Sequence, residues 1–343
     1  MTRGVLVAVG ALALLVGCAP KNEPKPPPVT VAPPPPATCG GAPMRVRFFD
    51  VGQALSVLVE LPDGRAILVD AGESPKRPGC GAPCEAWNDH LLDGVTSSLG
   101  GRPIDLLWIT HPHSDHLGGV PELLEKVAVK AYADNGRDLD KKPVQRARNA
   151  VAVHGAKLHE IVPGAKSPLP DGTGLTLRPI LPATFPPSCA QGDANDCSIG
   201  LRIDYCKSSV LFTGDAEAAE EALLDPGGPV TLLQVGHHGS ETSSSPSFLA
   251  KAAPKYAVIS SGKPHEGTNA TYCHPRKKTV EKLDQVLGGQ QGKALRVFDG
   301  AVSCKSAGDD HWSDVPTSDR LFATARDGDV TLVTTGDGTF VRK

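Results

Sequence analysis

From residue 44 onward the sequence predicts an α/β domain of two packed sheets flanked by helices. Three observations lead there: an opening series of short apolar runs divided by turn residues, a later alternation of strand and helix patterns, and polar clusters placed directly after predicted strands. The opening is a β-meander, with strands at 46–51, 56–61 and 66–69; Pro62-Asp63-Gly64 makes the second turn. A Gly/Pro/Cys-rich loop then leads to a helix at 85–98, a strand at 104–109 reading Ile-Asp-Leu-Leu-Trp-Ile, and a helix at 120–126. Next come a helix at 142–154, a strand at 158–162 and a Pro/Gly-rich stretch through Pro187. Strands at 199–205 and 209–212, a helix at 216–224, a strand at 230–235, a short helix after Pro246, a strand at 256–260 and a helix from His274 to Leu287 follow. The segment 321–341 alternates and carries Asp-Gly turns, which predicts a terminal hairpin. No internal repeat is visible.

The chain has 343 residues, 40% hydrophobic and 21% charged, enough to bury a real core. Its net charge of −3 gives no global attraction to nucleic acid, so any such contact is local. Met-Thr-Arg followed by the apolar stretch from Gly4 to Val16 reads as a signal peptide over 1–17, too short to remain as a spanning helix. Leu15-Val16-Gly17-Cys18 resembles a bacterial lipobox, which makes Cys18 the lipidated residue; Ala19 rather than Asp after it favours the outer membrane. Residues 18–43 are rich in proline and predict an extended tether ahead of a domain at 44–343. Setting Cys18 aside leaves eight cysteines, an even number that suits disulfides in an exported protein. Cys189 with Cys197 would close a short loop, while Cys80-x-x-x-Cys84 reads alternatively as half of a thiolate zinc site.

The most informative motif is Thr110-His-Pro-His-Ser-Asp-His-Leu-Gly-Gly119. Its imidazoles His111, His113 and His116 and the carboxylate of Asp115 follow a buried strand within six positions, a donor set suited to Zn²⁺ and its neighbours. Strand geometry would splay these side chains, so they belong to a loop in which His111 and His113 converge on one ion and Asp115 and His116 on another. Other polar groups also follow strands: Asp50, Asp70, Asp215 in Thr-Gly-Asp, and His237-His238. Asp215 is the candidate carboxylate bridging two cations; Asp70 reads equally well as a helix cap.

These residues resemble the metallo-β-lactamase fold, an αββα sandwich of metal-dependent hydrolases. Phe49-Asp-Val-Gly-Gln53, Leu68-Val-Asp-Ala-Gly72, Asn195-Asp-Cys-Ser198, Leu211-Phe-Thr-Gly-Asp215, Val235-Gly-His-His-Gly-Ser240 and Tyr272-Cys-His-Pro275 are similar, in order, to the hydrolase domain of ComEC-type DNA-uptake competence proteins. The resemblance implies two mixed sheets and metal ligands His111, His113, Asp115, His116, Asp215 and His237. It also implies catalytic roles for Asp115, His238 and His274, with two Zn²⁺ ions as cofactor or Mn²⁺ in their place. His237 is taken as the terminal ligand and His238 as facing substrate, although the sequence allows the pair to be exchanged. His274 is the candidate for binding the oxyanion or protonating the leaving group, and Lys263, Arg276 and Lys277 are candidate phosphate partners. Two departures stand out. The family's Gly-Asp after Gln53 is Ala54-Leu55 here, which removes a carboxylate, and Asn195 and Ser198 stand where many relatives carry a further ligand histidine; His154 and His159 read as structural.

The expected function is an exported, lipid-anchored hydrolase using a metal-bound hydroxide on a phosphodiester, with nucleic acid as a candidate substrate. The alternatives are hydrolysis of a carboxylic ester, lactone or β-lactam, or a non-catalytic DNA-binding accessory protein. No apolar run is long enough for the transmembrane channel of full ComEC proteins.

Overall fold

The computed structural model describes residues 1, 39, 41–300, 304 and 308–343. The signal peptide, Cys18 and most of the tether lie outside the described residues. The folded unit runs over Ala37–Lys343.

The chain opens with β1 (Met44–Phe48), β2 (Val57–Glu60) and β3 (Ala66–Val69), an antiparallel meander as expected. It continues through α1 (Ala82–Leu99), β4 (Ile104–Trp108), α2 (Ser114–Leu117), α3 (Val120–Lys126), β5 (Val129–Asp134), α4 (Lys142–Val153) and β6 (Lys157–Glu160). Strands β3 to β6 are parallel, each added to the sheet by a helical crossover. The second half repeats the logic. β7 (Leu175–Ile180), α5 (Pro187–Ala190), β8 (Gly200–Tyr205) and β9 (Ser208–Phe212) precede α6 (Ala218–Glu221), β10 (Leu232–Gln234), α7 (Pro246–Ala252) and β11 (Tyr256–Ile259). β7, β8 and β9 pair antiparallel, whereas β9, β10 and β11 pair parallel. α8 (Asn269–Tyr272), α9 (Lys277–Leu287), β12 (Gln291–Phe298), β13 (Trp312–Ser318), β14 (Leu321–Ala323), α10 (Thr324–Asp327), β15 (Val330–Thr334) and β16 (Val341–Arg342) complete the described chain.

One sheet has the order β16-β15-β1-β2-β3-β4-β5-β6 and the other β14-β11-β10-β9-β8-β7, with β12 and β13 forming a separate ribbon. Phe48, Val57, Ile67, Leu106 and Trp108 of the first sheet share one core with Leu201, Phe212, Leu232 and Val258 of the second. The outer face of the first sheet buries Leu58, Leu68 and Leu107 against Leu91, Leu123 and Val144 of its helices. The outer face of the second buries Leu211, Leu233 and Ile259 against Phe248 and Leu283. The layering is therefore αββα. Because β4 is covered on both faces, its sequence is almost continuously apolar instead of alternating. Trp108 also ties the sheets directly, donating from Nε1 to the Ile199 carbonyl at 2.9 Å.

Three expectations are corrected. The terminal hairpin is divided: β14 pairs parallel with β11 in the second sheet, β15 pairs antiparallel with β1 in the first, and only β15 and β16 form a hairpin. The reason is burial, since Leu321 and Ala323 complete one core while Val330 and Leu332 complete another. The last helix begins at Lys277, so His274 precedes it. Strands β5 and β7 and the β12–β13 ribbon carry weak local patterns and fall outside the sequence expectations.

The eight cysteines form four disulfides: Cys39–Cys206, Cys80–Cys84, Cys189–Cys197 and Cys273–Cys304. Cys80 and Cys84 are bonded to each other, which removes the zinc half-site reading.

Candidate metal centre

The polar clusters gather beyond the carboxyl ends of parallel strands: β3 delivers Asp70, β4 the His-rich loop, β9 Asp215 and β10 the His pair. Gly118 and Gly119 permit the loop's approach, although neither has a positive φ. A Cβ on Gly118 would lie 2.2 Å from the Ser114 carbonyl oxygen and 2.3 Å from the Ser74 nitrogen, and one on Gly119 would lie 2.2 Å from the Ala71 oxygen. The glycines are needed because backbone packs against backbone there.

Asp215 is the hub. Its Oδ2 lies 3.3 Å from His116 Nε2, 3.4 Å from His238 Nε2, 3.8 Å from His237 Nε2 and 3.9 Å from His111 Nε2. His111, His116 and Asp215 can direct ligand atoms to a common point, and so can Asp115, His116 and His238, each set having its donor atoms within 4.8 Å of one another. His113 is exposed and adjoins the first set, with Nδ1 at 3.1 Å from His111 Nε2. The expected division of the motif between two ions is thus redrawn: His116 is common to both sets, and Asp115 is joined by His238.

The pair the sequence left open to exchange is placed unequally: both rings approach Asp215, but His238 is the one grouped with Asp115 and His116. His238 is buried, with Nε2 3.5 Å from Asp115 Oδ2 and Nδ1 held by the Ser260 carbonyl at 2.8 Å. His237 instead turns Nδ1 to Glu217, at 3.1 Å, and Thr242, at 3.2 Å. Both residues have left-handed backbones, with φ of 48° and 53°, a conformation that regular strands do not supply and that lets both adjacent side chains approach Asp215.

Asp70 is more than a cap. Fully buried, it accepts hydrogen bonds from the Thr110 N–H and hydroxyl, both at 2.8 Å, and lies 2.7 Å from His116 Nδ1. Against its burial, Asp215 and Asp70 together hold His116 well above the usual histidine range, so without metal it is protonated on both nitrogens; Asp70 fixes the Nδ1 proton, and a metal that displaces the other finds Nε2 facing Asp215 and His238. Ser198 accepts from the Asp215 N–H at 3.3 Å, so the Asn195–Ser198 segment positions the hub.

Charge is strongly organised here. Burial disfavours charge on Asp115 and Asp215, but the neighbouring imidazoles outweigh it and hold both carboxyls well below their usual range; for Asp115 the leading partner is His238, for Asp215 it is His116. Burial, reinforced by His116, holds His111 well below the usual histidine range, in the neutral form that ligates metal. Asp215 Oδ1 is buried with no hydrogen-bond partner, and so is Asn195 Oδ1. A buried orphan acceptor is costly, and a cation satisfies it. The donor set of imidazoles and carboxylates fits a divalent metal.

The centre opens to a cleft of about 350 Å³ whose walls include Gln53, Asn195, His274, Tyr272, Arg77 and Arg276. Gln53 is pinned by its Oε1, which accepts from the Gly262 N–H at 3.2 Å, so its Nε2 donates to His274 Nδ1 at 2.9 Å. His274 therefore carries its proton on Nε2 and is neutral, burial first and then the electrostatic influence of His237 and His238 holding its pKa well below the usual value. Of the three cations singled out in the sequence, only Arg276 lines the cleft; Lys277 pairs with Asp299 at 2.7 Å. Arg77, hidden in an irregular loop, takes the place of the others. Asp50 is not gathered in: its N–H donates to Asp329 at 2.8 Å. Leu55, at the position of the missing family carboxylate, is a fully buried core residue. His154 and His159 stay outside, at the end of α4 and on the edge strand β6.

Comparison with known proteins agrees with this geometry. The chain is 26% identical over 260 residues to ComE operon protein 3 of Bacillus subtilis (strain 168), covering 72% of this chain and 31% of that protein. It is 30% identical over 228 residues to Recombination protein 2 of Haemophilus influenzae, covering 64% and 24%. With Competence protein ComA of Neisseria gonorrhoeae it shares 28% identity over 270 residues, covering 74% and 34%. The chain thus spans about a quarter to a third of the length of these relatives. Among the described residues no helix is long and apolar enough to cross a membrane. The model of the Metallo-beta-lactamase superfamily matches residues 49–263, and the chain belongs to that superfamily, with the fold of its metal-dependent hydrolases.

Proposed function

We propose that this chain is an exported hydrolase, anchored through a lipid on Cys18, that cleaves a phosphodiester at a divalent-metal centre. The observation that carries the reading is Asp215, an ionised buried carboxylate with one oxygen among four imidazoles and the other without a partner, at the floor of a cleft that holds two arginines. His111, His113, Asp115, His116, Asp215 and His238 are the side chains that would hold metal, with His237 braced by Glu217 beside them. Bound there, Zn²⁺ or Mn²⁺ supplies Lewis-acid stabilisation of developing negative charge and lowers the pKa of water.

The chain's own residues supply the rest. Asp70 fixes the tautomer of His116, and Ser198 holds the backbone of Asp215. Arg77 and Arg276 offer positive charge to phosphate oxygens. His274, locked by Gln53 with its proton on Nε2, is suited to hydrogen-bonding a substrate oxygen and to protonating the leaving group. The names of the relatives, a competence protein and a recombination protein, agree with a nucleic-acid substrate.

The test is to assay metal-loaded protein on bis-para-nitrophenyl phosphate, single-stranded DNA and nitrocefin, with and without chelator. Chelator-sensitive turnover of the diesters, lost in Asp215→Asn, is expected. Activity confined to nitrocefin overturns the reading. Stoichiometric metal and DNA binding without turnover points instead to an accessory binder.

A further inference from the structure

Beside the metal cleft lies a second, smaller chamber of about 120 Å³, and the two share a wall formed by Arg77 and Ser114. Arg77 donates to the Ser114 hydroxyl, which in turn donates to Glu73 at 3.1 Å, so the wall is a fixed hydrogen-bonded strut. Its far side is lined by Pro78, Pro121 and Pro143, with Lys76 and Arg146 among them. Lys76 and Arg146 are exposed; among the described residues Lys76 makes no ion pair, and Arg146 reaches Glu122 only at 3.7 Å. The chamber thus combines rigid apolar walls with three cations, against which Glu73 is the one lining carboxylate, paired with Arg77 at 3.8 Å. Apolar side chains beside positive charge can take an unstacked base and its phosphate, whereas the bases of a duplex are already stacked on one another.

Resting on the phosphodiester reading, we propose that this chamber binds the nucleotide next to the scissile phosphodiester of a single strand. The base lies against the prolines, and the phosphate lies between Arg77, Lys76 and Arg146. Arg77, common to both spaces, sets the register between the flanking nucleotide and the metals.

The test measures binding of a fluorescent, phosphorothioate-linked hexathymidylate, which resists hydrolysis, to the metal-loaded full chain by anisotropy across a salt series. The double variant Lys76→Gln/Arg146→Gln is expected to weaken binding about tenfold and to flatten the log K against log salt slope by about 0.7, the share of the one single-strand phosphate no longer neutralised. Lys130→Gln, a removal of positive charge near the start of β5, leaves both unchanged. Unaltered affinity and slope in the double variant overturn the subsite, and so does equal affinity for a duplex of the same length. Turnover of bis-para-nitrophenyl phosphate by the wild type is read separately. If it is absent while strand binding still depends on Lys76 and Arg146, the subsite stands and the hydrolase reading falls.

Discussion

Asp70→Asn isolates the group that makes His116 a ligand. The carboxylate uses both oxygens as acceptors, Oδ1 for the Thr110 N–H and Oδ2 for the Thr110 hydroxyl and His116 Nδ1. An amide of the same shape has one acceptor. If its oxygen faces the Thr110 N–H, its NH₂ opposes His116 Nδ1, and the imidazole responds by moving its proton to Nε2. That nitrogen lies 3.3 Å from Asp215 and 3.2 Å from His238, and with a proton on it it cannot ligate. If the amide is reversed, two buried donors face each other at Thr110. The reversed orientation loses one buried hydrogen bond, which costs about 1–3 kcal/mol of stability, so the first, in which the tautomer shift keeps a bond at Nδ1, is favoured and the cost falls on metal binding. Loss of a partner that orients a ligating histidine costs about 10–100-fold in metal affinity, or about 1.4–2.7 kcal/mol. Because His116 belongs to both candidate sets, binding at either is expected to weaken. The assay is competition of Zn²⁺ against a chromophoric chelator, with thermal unfolding in excess EDTA recorded in parallel to separate folding from binding. A folded Asp70→Asn protein whose affinity stays within twofold of wild type would refute the argument that Asp70 sets the His116 tautomer.

The unequal placement of the histidine pair is tested by metal content: His238→Ala is expected to lose about one equivalent and His237→Ala to keep its metal, and the opposite result returns His237 to the ligand set. Glu73 is pushed up to about 7 from 4.5 by burial, with Asp115 adding to it. Its proton is held more tightly in the folded chain, so its contribution to stability is full below about pH 4.5 and is lost as pH rises through 7, by about 3 kcal/mol. Denaturant melts of chelated protein between pH 4.5 and 8 should therefore show a decline that Glu73→Gln flattens, and parallel pH profiles for the two proteins would contradict this. The Cys273–Cys304 bond closes a separation of 31 residues next to His274, so the Cys273→Ser/Cys304→Ser variant should lose about 3–4 kcal/mol in denaturant melts; a change below about 1 kcal/mol would mean that the loop is held by its packing alone.

Much of the site was legible as a list. His111, His113, Asp115 and His116 sit within six residues, and Thr-Gly-Asp215 and Gly-His-His-Gly announce themselves because unusual donors follow apolar strands. What the list lacked was direction. Nothing local distinguishes His237 from His238; both approach Asp215, and only the packed loop, with His238 Nδ1 held by the Ser260 carbonyl and His237 Nδ1 turned to Glu217, sets His238 beside Asp115 and His116. Nor does any local pattern single out Arg77, which lies in a loop without periodicity and gains its place because it bonds to Ser114 in the metal-binding loop.

The sequence by itself determined an α/β class with two packed sheets, the strands that end in polar clusters, the pairing capacity of the cysteines and the chemical identity of the donors, since each of these is encoded in periodicity or residue type over short spans. Only the tertiary structure decided that β14 and β15 enter different sheets, that His116 serves two ligand sets, that Asp70 orients it and that Asp50 and Lys277 stand aside. Those outcomes depend on which segments share a buried face, and burial is a property of the packed whole, set by residues far apart along the chain.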